Sequence, residues 1–193
     1  KCKVLETIPQ LNTSNVTNMR AMFETCSSLT EIPQLNISKV TDMGWMFQGC
    51  SSLTEIPQLD TSNVTDMGYM FQGCSSLTEI PQLDTSKVTN MMHMFEGCTS
   101  LKRTPQLDVG AETYASYMFY GCTSLAVIDV SKSTFGRLND NAFWNCGTEC
   151  LQSDGAYADG IPYVYVKDST SRTRVLNSSY RPSTWSNANV VIR

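Results

Sequence analysis

The sequence predicts a solenoid, a chain wound into stacked coils of equal length. Seven of the eight cysteines lie on one arithmetic series, Cys2, Cys26, Cys50, Cys74, Cys98, Cys122 and Cys146, each 24 residues after the last. A fixed period of this size marks a repeat architecture. The apolar residues keep the same period. Cys50, Leu53, Ile56, Leu59, Val64, Met67, Met70 and Phe71 recur one unit later at Cys74, Leu77, Ile80, Leu83, Val88, Met91, Met94 and Phe95. Glycine precedes the cysteine at Gly49, Gly73, Gly97 and Gly121, as a tight corner requires. In such a stack each repeat position becomes a column of side chains, and the outward columns form the functional surface.

Within one unit, Leu53-Thr-Glu-Ile56-Pro-Gln-Leu59 looks like the strand of a leucine-rich repeat, a resemblance that implies apolar residues turned into the coil. Pro57 has no amide hydrogen and disturbs the ladder there or marks a bulge. Asp60-Thr-Ser-Asn63 has turn chemistry, because short polar side chains bond nearby backbone groups. Val64 to Phe71 forms a second short segment, an extended piece followed by a brief helical turn.

The run SNVTDMGYMFQGCSSLTEI resembles the BspA-type leucine-rich repeats of bacterial surface proteins. Four copies match closely between Leu11 and Leu107, and degenerate ones extend to Cys146. The resemblance implies a right-handed, leucine-rich-repeat-like α/β solenoid over residues 1–146, with about six 24-residue repeats. It also implies a bacterial cell-surface or secreted protein. It does not imply a particular activity, since repeats of this kind are scaffolds for display.

Beyond the repeats, residues 147–193 read as a small C-terminal α/β cap. Gly160 to Lys167 is rich in β-branched and aromatic residues and predicts a strand. Asp168 or Ser169 then caps a helix running towards Tyr180, which Pro182 stops, and Ala188 to Arg193 forms a last strand. Such a cap covers an open sheet edge. At the other end Cys2 is already in register, so the sequence predicts a chain cut from a longer protein or an end covered by another chain.

Composition narrows the function. With 193 residues, 41% of them hydrophobic, the chain is long enough for one elongated domain. A net charge of -4 and the lack of a basic cluster give no support to nucleic-acid binding. No apolar run approaches the length of a membrane span. The stacked cysteines at 26–122 point the same way on neighbouring rungs, which does not suit a disulfide dihedral, so they read as buried free thiols. Cys146 and Cys150 are four apart, and the sequence leaves a bridge and two free thiols both open.

Nine of the ten methionines occupy two columns beside the phenylalanine column, and only Met92 stands off them. They read as core rather than as ligands for a soft metal. The one histidine, His93, lacks a catalytic partner in the sequence, and no phosphate loop, zinc spacing or acid pair is present. The expectation is a non-enzymatic protein with no cofactor. The outward columns carry the candidate site. Trp45, Tyr69, His93 and Tyr117 line one column after Ala21, and Tyr120 and Trp144 extend the neighbouring one. Exposed aromatic columns mark partner or sugar sites, and the other reading of these rings is that they only cover the edge of the core.

The predicted function is adhesion, or binding to proteins or glycans of a host or neighbouring cell. The alternative is a phage receptor-binding or structural fibre component, or a filament subunit that self-associates end to end through the uncapped N-terminal coil.

Overall fold

The computed structural model of the chain describes residues 2–134, 142, 163–166 and 190–192. Residues 24 apart lie over one another in parallel. Backbone bridges run Asn18 to Asp42, Asp42 to Asp66, Asp66 to Asn90 and Asn90 to Tyr114. Between one coil and the next, the amides of Met43, Trp45, Phe47 and Gly49 donate to the carbonyls of Asp66, Gly68, Met70 and Gln72 at 2.7–2.9 Å. This spreads part of the backbone satisfaction over the stack, so each coil relies on the next for some of its hydrogen bonds.

The segment that makes these bonds is a pair of tandem turns, where the sequence predicted an extended piece and a helical turn. Met46 N–H bonds Met43 O, and Cys50 N–H bonds Phe47 O. In each turn the third residue has positive φ, the requirement of a type II turn. Gly49 (φ 71°) meets it in the second turn and Trp45 (φ 59°) in the first.

The leucine-bearing segment also differs from expectation. Residues 53–59 form no strand. The proline column (Pro9, Pro33, Pro57, Pro81, Pro105) removes an amide from each rung there. The glutamine column compensates in part: Nε2 of Gln10, Gln34, Gln58 and Gln82 each donates to the backbone carbonyl of the glutamine one coil on, at 2.6–2.8 Å. A regular strand begins only where the proline column stops. Asp129 occupies the next proline position and lies within β1, Val127–Val130. β1 pairs in parallel with β2, Tyr163–Val166, and β2 with β3, Val190–Ile192, in the order β1-β2-β3. The last two strands fall within the segments read from the tail. The helix expected between them, with Cys146 and Cys150, lies outside the described residues.

The interior consists of the predicted columns. Phe23, Phe47, Phe71, Phe95 and Phe119 stack with centroids 5.7–5.8 Å apart. Cys26 to Cys122 are buried free thiols, while Cys2 is exposed. The thiols of Cys50, Cys74, Cys98 and Cys122 each donate to the phenylalanine carbonyl 27 residues earlier, at 2.9–3.1 Å. Met22 departs from its column: in the first coil it is 40% exposed, where Met46 and Met70 are fully buried.

The fifth coil keeps its core by a one-residue exchange. Glu112, which stands where valine stood, points outward, and Thr113 turns in and bonds Val88 O at 2.9 Å through its hydroxyl.

Candidate functional site

The first turn of each coil places residue 21, 45, 69, 93 or 117 at its left-handed position, with φ of 56–62°. Glycine or asparagine is the ordinary choice there, and a bulky side chain costs about 1–2 kcal/mol. The chain instead puts Trp45, Tyr69, His93 and Tyr117 there after Ala21. The left-handed backbone carries each side chain to the coil surface, so the rings stack face to face. Centroid spacings are 4.6 Å for Trp45–Tyr69, 4.5 Å for Tyr69–His93 and 4.8 Å for His93–Tyr117, with planes within 13°. Stacking of this kind contributes about 0.5–1.5 kcal/mol per pair and offsets the backbone cost.

All four rings are half-buried rather than freely exposed. The facing sides of neighbouring rings are taken up by one another. Tyr120 is more exposed and meets Tyr117 edge-on at 5.8 Å. Trp144 lies outside the described residues.

The neighbouring column locks the stack. Gln48 Nε2 donates to Gln72 Oε1, Gln72 Nε2 donates to Glu96 Oε2 at 2.8 Å, and the same carboxylate oxygen meets His93 Nδ1. His93 is thereby held between two tyrosine faces and a carboxylate.

On the opposite flank lies a ladder that the sequence reading missed. Asn18, Asp42, Asp66 and Asn90 stack with their side chains joined, Asn18 Nδ2 to Asp42 Oδ2 at 3.3 Å and Asn90 Nδ2 to Asp66 Oδ1 at 3.0 Å. Asp42 and Asp66 also accept the amides of Gly44 and Gly68. The Arg20 guanidinium reaches both carboxylates at 3.4 Å and lies 3.9 Å from the centre of the Trp45 ring. The only advance signal was a lone arginine in a column that next holds two glycines.

A second polar strip follows the turn column. Asp60 and Asp84 each accept from the serine hydroxyl two residues on, at 2.7 Å, and from its amide. The Ser62 and Ser86 hydroxyls hold these carboxylates below the usual range. Their bonds are spent within the turn, as the sequence reading of this column expected. Among the described residues, no three His, Cys, Asp or Glu side chains gather as a metal site, and no helix is long and apolar enough to cross a membrane.

A family model described as "Mycoplasma protein of unknown function, DUF285" matches residues 1–106 and, in a second overlapping alignment, 54–142. No curated protein and no solved structure matches the chain.

Proposed function

The chain belongs to the DUF285 family, and from that premise we propose a non-enzymatic surface or secreted repeat protein that binds a partner through the ridge Trp45–Tyr69–His93–Tyr117. The finer resemblance, to BspA-type repeats with a right-handed leucine-rich-repeat-like solenoid over 1–146 and a cap over 147–193, belongs to the same reading.

One observation carries it. Bulky rings occupy a left-handed position in four successive coils where glycine would cost nothing. Covering the core does not require this, because Ala21 holds the same backbone geometry in the first coil. The ring arrangement favours one partner class over another. A sugar stacks on a ring face, and along this ridge the faces between neighbouring rings are already paired while Arg20 lies over the outer face of Trp45. A protein partner from a host or neighbouring cell can use a row of half-buried ring edges, the usual make-up of an interface centre.

The test is binding to arrays of extracellular proteins and glycans by the wild-type chain and by Trp45→Ala with Tyr69→Ala. Alanine is tolerated at this position, as Ala21 shows, so the double variant should fold. Loss of roughly 30-fold or more in affinity is expected for hot-spot rings. Unchanged binding to every partner found would overturn the ridge assignment.

A further inference from the structure

On the side of the first coil the ring stack ends at Trp45, whose outer face no ring covers among the described residues, because Ala21 has only a methyl group there. That face is closed by Arg20. The floor of the slot is Gly44, and a Cβ placed there would lie 2.9 Å from the Arg20 guanidinium. One wall is the pair Asp42 and Asp66, each 3.4 Å from the same nitrogen, and the other is the indole. A flat cation over an aromatic face with carboxylates at its edge is how a guanidinium is recognised.

We infer that this slot is a guanidinium-binding subsite, which the chain fills with its own Arg20 and which an arginine side chain of the protein partner takes over. The inference deepens the ridge reading and rests on it for the partner's identity as a protein. The slot is built for the group and does not merely collect acidic charge, since a guanidinium is already seated on all three of its sides. Arg20 is also a replaceable occupant. Its side chain is 42% exposed, and exposed ion pairs and cation–π contacts are each weak. A partner arginine would restore every contact that Arg20 gives up, and the freed Arg20 would return to water.

The test uses N-acetyl-arginine-amide as the probe, followed through the Trp45 indole N–H resonance, on the wild-type chain, Arg20→Ala and Arg20→Gln. The variants should bind the probe roughly ten-fold tighter than the wild type, whose own arginine competes. N-acetyl-citrulline-amide, uncharged and of the same shape, should not bind. Adding Asp42→Asn and Asp66→Asn to Arg20→Ala should weaken the probe about ten-fold, while the asparagines keep the acceptors that hold the turns. In the wild type, saturating probe should displace Arg20 and shift its Nε resonance. That measurement holds even if both variants fail to fold. Equal binding of arginine and citrulline probes, or no displacement of Arg20 in the wild type, overturns the proposal. Because no partner protein enters the experiment, its failure leaves the ridge reading standing. Failure of the ridge variants on arrays leaves the slot standing.

Discussion

Thr25 stands where the next four coils have glycine. Its φ is 58°, against 70–73° for Gly49, Gly73, Gly97 and Gly121. A β-branched residue is a genuine outlier in that region. Its hydroxyl is also the one buried side-chain oxygen without a partner among the described residues. Thr25→Gly should therefore stabilise the chain by about 1 kcal/mol, the relief of strain and desolvation exceeding the lost packing of the threonine methyl. A rise in Tm of roughly 2–4 °C would register it, and a fall would show that the methyl contact dominates. The thiol column gives a second test. Burial pushes Cys50 up to about 12, and Cys74, Cys98 and Cys122 are raised as well, by burial first. Above about pH 9 the unfolded chain gives up these protons and the folded chain keeps them. Stability then falls as pH rises, at about 1.4 kcal/mol per pH unit for each thiol in that window. Urea midpoints between pH 8 and 10.5 measure the slope, and Cys74→Ala should reduce it. At this scale the sequence was informative about the interior. Cysteine, leucine and phenylalanine at fixed offsets exclude water whatever the backbone does, and all eight apolar positions of the unit beginning at Cys50 are buried. It was silent about the left-handed turn position and the reach of Arg20, which depend on backbone angle and on a neighbour 22 to 46 residues away.

Among the elements, the strand β1 shows how one residue type sets local structure. Prolines at the same position in earlier coils leave the rung short of an amide, and Asp129 restores it. Its N–H donates to the Thr104 hydroxyl at 2.9 Å, its carbonyl accepts from Leu107 at 2.8 Å, and it pairs with Tyr165 of β2. Asp129→Pro should cost about 2–3 kcal/mol, because it removes the amide and strands the Thr104 hydroxyl, which is buried. Hydrogen exchange at β2 is the sharper measurement: Tyr165 and Val166 should lose protection before the Phe47–Phe71 coils do. Equal protection throughout would mean that β2 does not depend on β1. The sequence marked Pro57 as a disturbance, and the disturbance proved large enough to remove the strand expected over 53–59. The apolar pattern alone could not reveal this. It reports which residues turn inward and is the same for a strand and for an irregular chain with the same contacts.

For the whole molecule, stability of such a stack is a sum of coil terms and nearest-neighbour interfaces. Every internal coil here offers its neighbour the same set: a row of amides to carbonyls, a phenylalanine on a phenylalanine, a thiol on a carbonyl, and a ridge ring on a ridge ring. The period was legible at once, because the cysteines state it. The handedness of the winding came only from the family resemblance, because a column pattern reads the same in either hand. Duplicating residues 50–73 in place inserts one further unit with all of these contacts in register. The lengthened chain should keep or raise its urea midpoint and show a larger m-value, since more surface is exposed on unfolding. The inserted Tyr69 copy should join the stack as a further ring. Duplicating only residues 50–72 leaves the first copy one residue short, so the position 24 after Phe71 holds the inserted Gln72 instead of the inserted Phe71, and the thiol ladder breaks at that junction. That chain should lose its cooperative transition. The two duplications differ by a single glycine and are almost identical in composition and hydrophobic content. A difference between them reports the stacking of residues 24 apart together with the loss of one left-handed glycine, and equal behaviour would remove the physical basis of both the core and the ridge.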